Sequence, residues 1–109
     1  MLGLDTNNLI TAKQLAEKYP VNYVRPELYW RDRLRLWRET QYLVDGRHWV
    51  KLHRGQEGRP AFAYVEACIV FLVRRDAKED EFCHEVYRLH KDAMIALLRE
   101  YSARAGSKP

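Results

Sequence analysis

Arg31, Arg35 and Arg38 fall at i, i+4 and i+7 within RPELYWRDRLRLWRE, residues 25–39. At the helical period this spacing lines three guanidinium groups along one side. A guanidinium stays charged at all working pH values and presents a rigid fork of donors. That fork matches phosphate oxygens or the O6/N7 edge of guanine. Arg25 precedes the stretch and Tyr29 lies inside it, and both join the candidate contact set. Arg47, Lys51, Arg54 and Arg59 make a second basic group some ten residues on. The chemistry on offer is recognition of a polyanion by charge-assisted hydrogen bonds.

Other reactive side chains are placed less usefully. Cys83-His84 with His90, and the distant Cys68, fit no paired metal-ligand spacing, and His84 and His90 fall on different sides of a helix. Cys68 sits in an apolar run and is expected to be a small core residue. Cys83 follows an acid-rich turn, which disfavours a thiolate. His48 and His53 are an odd number of residues apart, so in a strand they face opposite ways. No Ser/His/Asp set, glycine-rich phosphate loop or carboxylate pair stands out. The expectation is a protein that is not an enzyme, without metal or cofactor.

Two groups of cations recognise a ligand only if folded elements hold them together. In residues 25–39 the apolar Trp30, Leu34 and Trp37 fall at i, i+4 and i+7, one residue behind the arginines. The helix therefore has an anchoring face beside its basic one, and Pro26 suits its first turn. Upstream, Thr11 with Gln14 is a capping box for a short helix whose buried face is Ala12, Leu15, Ala16 and Tyr19, closed by Pro20. Two short helices joined tightly, the second one basic, make a helix-turn-helix pattern. Thr40 to Val44 offers a further helical turn, and Asp45-Gly46 is a turn signal. His48 to His53 alternates like a strand, residues 54–59 form a polar glycine-containing loop, and Phe62-Ala63-Tyr64 can pair back. The result is a hairpin with a basic tip. Trp30, Trp37 and Trp49 are read as core or core-edge residues.

Val65 to Arg75 carries an apolar stripe of Val65, Cys68, Ile69, Leu72 and Val73, so a central helix is expected there. From Asp76, with Glu79 as its cap partner, to about Ser102 a long helix is expected. Its stripe is Phe82, Val86, Leu89, Ala93 and Leu97, wide enough to call for a partner helix from a second chain.

Charge is unevenly spread. The chain of 109 residues has a net charge of +4, but residues 25–59 hold nine Lys/Arg against five Asp/Glu, whereas 76–101 hold four against seven. Only part of the molecule is suited to face a polyanion. Two cysteines do not make a disulfide framework, no signal peptide is evident, and the longest apolar run, Ala67 to Val73, is too short to span a bilayer. These features lead to an expectation of a reduced, cytoplasmic protein without membrane contact.

In its order of elements the chain resembles the winged helix-turn-helix superfamily of MerR-type regulators and excisionase-like proteins. The resemblance covers roughly residues 9–75. Leu9-Ile10-Thr11-Ala12-Lys13-Gln14-Leu15-Ala16 looks like the family's first helix, and Pro26-Glu27-Leu28-Tyr29-Trp30-Arg31 like its recognition helix. Gly46-Arg47-His48-Trp49 resembles the start of the wing, and Phe62-Ala63-Tyr64-Val65-Glu66 its exit. The arginine helix departs from the pattern by running on through Leu34-Arg35-Leu36-Trp37, and no effector-binding cysteine follows the last helix.

The fold class expected is mostly α with a small β-hairpin. Residues 1–8 are a leader, 9–75 a winged helix-turn-helix domain, 76–102 a C-terminal dimerisation helix and 103–109 a tail. The resemblance implies double-stranded DNA as ligand through the second helix and the wing, a homodimer, and a transcriptional role, most simply repression. The narrower expectation is a regulator on a mobile element, such as a CRISPR-associated transposon, with a recombinase or RNA polymerase as protein partner. The alternatives are an excisionase-like DNA-bending factor and a winged helix that docks protein without binding DNA.

Overall fold

The computed structural model describes residues 9–52 and 61–106, leaving aside the side chains of 104–106. The element order is β1 (Leu9–Ile10), α1 (Ala12–Lys18), α2 (Pro26–Glu39), β2 (Trp49–Leu52), β3 (Ala61–Val65), α3 (Glu66–Asp76) and α4 (Glu81–Gly106). The fold is thus mostly helical, with a small antiparallel sheet and a long last helix.

Thr11 starts α1 as expected. Its hydroxyl accepts from the Gln14 backbone at 3.2 Å, and the Gln14 side chain accepts from the Thr11 backbone at 3.0 Å. Thr11→Ala removes one half of this reciprocal cap. A stability loss of about 1 kcal/mol is expected by chemical denaturation, and an unchanged midpoint would mean that the cap contributes nothing.

Pro26 occupies the first turn of α2, where its missing N–H costs no bond. Trp30, Leu34 and Trp37 are buried by this helix. They meet Leu15 of α1 and Tyr19 just after it, Ile69, Val70 and Val73 of α3, and Phe82, Cys83, Val86 and Met94 of α4 in one core. Buried Leu43 joins that core from the segment after α2. This segment turns away at Gln41, with φ at 66°, instead of adding a helical turn.

The hairpin forms at the expected place. β2 and β3 pair antiparallel with Trp49 opposite Tyr64 and Lys51 opposite Phe62. Gly46, at φ 80°, makes the turn that leads into it, and its N–H donates to the Trp49 carbonyl at 2.8 Å. The hairpin is not alone. β1 pairs with the other edge of β3, Leu9 opposite Val65 and Ile10 opposite Tyr64, giving a three-stranded sheet in the order β1-β3-β2.

One sequence expectation needs correction at the last helix. Asp76 closes α3 instead of opening α4: the backbone N–H groups of Glu79 and Asp80 both donate to the Asp76 carbonyl. Asp80 is the side-chain cap, accepting from the Cys83 backbone at 2.8 Å. Moreover, α4 is not straight. His90 has φ −124° and ψ 23°, and its Nε2 lies 2.7 Å from the carbonyl oxygen of Pro20. The kink lets both halves of α4 reach the body of the protein, through Phe82, Cys83 and Val86 before it and Met94 after it.

Candidate nucleic-acid interface

Arg31, Arg35 and Arg38 do lie along one flank of α2, as their spacing requires. Arg31 and Arg35 are exposed. Arg31 meets Glu27 one turn back at 2.7 Å, and Arg35 lies 3.9 Å from Asp32. Such exposed pairs hold their arginines weakly, because water and salt screen them. Both guanidiniums can therefore be redirected to a phosphate at little cost.

Arg38 does something else. Its guanidinium stacks 4.1 Å from the Phe62 ring centroid and 5.7 Å from that of Trp49, and it donates to the Tyr64 hydroxyl. Phe62 and Tyr64 stand on one face of β3, with Trp49 and Lys51 opposite them on β2. Arg38 is thus the joint between α2 and the hairpin, half-buried, and its planar group lies against both rings in a way a lysine ammonium could not copy. Burial pushes the Tyr64 phenol up against a smaller opposite effect of Arg38, so Tyr64 stays neutral and able to accept this bond.

The joint has a geometric consequence. The flank of α2 that carries Arg31 and Arg35 is the flank that turns into the hairpin, and exposed Lys51 continues the same β face beyond Trp49. Arg31, Arg35 and Arg38 on one flank of α2, with Lys51 on the sheet face that receives Arg38, are the candidate strip. Arg47 is exposed in the turn before β2, where the preceding loop is held by the Trp49 indole donating to the Leu43 carbonyl at 3.1 Å. His48 braces the same turn by accepting from the Val44 N–H on Nδ1 at 2.8 Å. Burial and then the charge of Arg47 hold the His48 imidazole below its usual range, which keeps that nitrogen a lone-pair acceptor. Arg25 is exposed at the N-terminal end of α2. Arg54 and Arg59 lie outside the described residues.

Tyr29 is not brought to the strip. It stacks on Phe82 at 5.6 Å and meets Tyr23 edge-on at 4.6 Å, on the opposite flank of α2. With Leu36, Asp32, Glu39 and Phe82 it lines a groove of about 350 Å³ between α2 and the start of α4, which Arg35 also borders.

Arg33, which the stripe spacing leaves out, also points to that side, and its role is structural. It pairs with Asp80, lies 3.8 Å from Asp76 and stacks 5.8 Å from the Trp37 ring. Asp76 further accepts from the Trp37 indole at 2.9 Å and from Arg75 Nε at 2.7 Å. Burial pushes the Asp76 carboxyl up, but the bonds from Arg75 and Trp37 and the two arginine charges outweigh it and hold it below its usual 3.8. A depressed carboxyl stabilises the fold above its unfolded value and stops doing so as pH falls through its folded one. Stability is therefore expected to decline below about pH 4, and Asp76→Asn should flatten that acid limb in pH-dependent melts. An identical acid limb in the variant would count against the network.

Glu66, nine-tenths buried at the start of α3, was legible only as part of the wing exit. It accepts from the Tyr19 hydroxyl at 2.5 Å and meets Lys18 at 2.6 Å, tying α1 to the sheet side of α3. Both partners engage the same carboxylate oxygen, which gives this buried side chain a structural role.

The stripe expected at a subunit contact divides. Phe82 and Val86 are covered by their own chain, Phe82 by Trp30, Tyr23 and Tyr29, which corrects their assignment to a partner. Leu97 is half-buried against the core, while Leu89, at 45% exposure, and Ala93 remain open. Cys83 is buried, and burial with the Asp80 carboxylate pushes its thiol far up; Cys68 is half-buried, and burial raises its thiol too. Neither offers a thiolate. Among the described residues no cluster of His, Cys, Asp and Glu is grouped to hold a metal ion, and no helix is long and apolar enough to cross a membrane.

Comparison with protein-family models, with curated proteins and with solved structures found no match. The functional reading therefore rests on the geometry of the site.

Proposed function

We propose that this protein is a sequence-specific DNA-binding regulator, acting as a homodimer and most simply as a repressor. The observation that supports the reading is the Arg38 joint, which ties the α2 flank carrying Arg31 and Arg35 to the hairpin face carrying Lys51. A helix in the major groove with a hairpin on the adjacent backbone needs such a rigid connection, because recognition geometry is lost when the two elements move independently. Arg31 and Arg35, on the regular element, read base edges. Arg47 and Lys51 meet phosphates and fix the register. Leu89 and Ala93, with the free edge of Leu97, supply the contact between two copies, and the twofold pair calls for an operator that is an inverted repeat. A role on a mobile element is the narrower form of the proposal.

Selection from a random duplex library, followed by footprinting, tests this reading. The expected result is enrichment of an inverted repeat with half-sites about one helical turn apart, or a multiple of it. Enrichment of direct repeats would favour the excisionase-like alternative. A library that stays unenriched would contradict DNA recognition altogether.

A further inference from the structure

Away from the basic strip, α3 presents an outer face that its core packing does not use. Ile69, Val70, Leu72 and Val73 are buried, yet Phe71 between them is 57% exposed. Tyr42, in the segment after α2, is 53% exposed, and the Arg75 guanidinium lies 4.0 Å from its ring centroid. Phe71, Arg74 and Arg75 fall at i, i+3 and i+4, so they share a side of α3, and exposed Lys78 follows in the next turn. Among the described residues Arg74 and Lys78 have no ion-pair partner. Asp76 is shared between Trp37, Arg33 and Arg75, while Glu79 is exposed at the edge.

We propose that this face, built from Tyr42, Phe71, Arg74, Arg75 and Lys78, docks an acidic amphipathic segment of a partner protein. Two half-exposed aromatic rings beside the unpaired Arg74 and Lys78 call for a ligand that brings apolar side chains and carboxylates together. An amphipathic acidic helix does so, laying leucines over Phe71 and glutamates against Arg74 and Lys78. Nucleic acid fits less well. Duplex DNA offers phosphates but no apolar cavity for Phe71. Base stacking needs open ring faces, and one face of Tyr42 already carries Arg75. The proposal does not depend on DNA binding by α2.

The test is a titration of the isotope-labelled protein, followed by NMR, with a synthetic amphipathic peptide carrying leucines on one helical face and glutamates on its flanks. Saturable shifts are expected at the backbone amides around Phe71 to Lys78 and Gln41 to Leu43. Phe71→Ser should weaken binding about tenfold or more, as loss of a central aromatic anchor does. Arg74→Glu with Lys78→Glu should weaken it comparably, while Arg31→Ala with Arg35→Ala leaves it unchanged. These substitutions lie at exposed positions, and unchanged spectra elsewhere would verify the fold. The proposal is overturned if no saturable shift occurs at Phe71, or if the shifts fall on α2 and the hairpin instead. It is equally overturned if single-stranded oligothymidine moves these amides when the peptide does not. Concentration-dependent shifts without peptide would assign the face to self-association and overturn it as well.

Discussion

Trp37→Ala is expected to lower the stability of this protein by about 3–5 kcal/mol, the usual loss when a buried tryptophan is truncated. Trp37 is 1% exposed at the centre of the face that α2 turns to the core. Its indole N–H also donates to Asp76, and Arg33 stacks on its ring. The substitution thus opens a cavity and loosens the link between α2, the end of α3 and the Asp80 cap of α4. Trp37→Phe would keep most of the ring while losing the hydrogen bond, and should cost less. Urea denaturation of both variants checks the ordering. A loss below about 1 kcal/mol for the alanine variant would mean that α2 is not anchored as described.

The second large effect is on DNA affinity. Replacing Arg31, Arg35 and Lys51 together by Ala is expected to abolish specific binding, since each base-reading arginine contributes about 1–3 kcal/mol. Stability should be nearly unchanged, because all three side chains are exposed and their ion pairs are weak. Arg38 should behave differently. Arg38→Lys keeps the charge but loses the stack on Phe62 and Trp49 and the planar donor to Tyr64. That variant should weaken binding and loosen the hairpin together. Fluorescence anisotropy on the selected duplex, with melts of the same samples, separates the two behaviours. Full affinity in the triple variant would remove the strip from the interface.

Much of this architecture was readable in the order of residues. The Trp30–Leu34–Trp37 spacing, the Thr11–Gln14 cap and the Asp45-Gly46 turn each act locally, so each was visible in a short window. What escaped depends on distant partners. β1 is two residues long and exists only because β3 has a free edge. Arg33 lies off the period of the basic stripe, and its partners Asp76 and Asp80 are some forty residues away. Arg38 had the right period for the basic stripe, but period says nothing about the aromatic hairpin face that receives it. The broad stripe of α4 misled for a similar reason. The aromatic group of Tyr23, Tyr29 and Trp30 covers Phe82, so part of the width served the protein's own core.

The central claim, that the α2–hairpin strip meets duplex DNA, is tested most directly by the salt dependence of binding. Each phosphate neutralised releases counterions, and log Kobs falls against log salt concentration by about 0.9 per contact. Phosphate contacts from Arg47 and Lys51 predict a slope of roughly −2 for each protomer, shallower by about one when Lys51 is replaced by Ala. A slope near zero, or a steep slope that the Arg31→Ala, Arg35→Ala, Lys51→Ala variant leaves unchanged, would contradict the account.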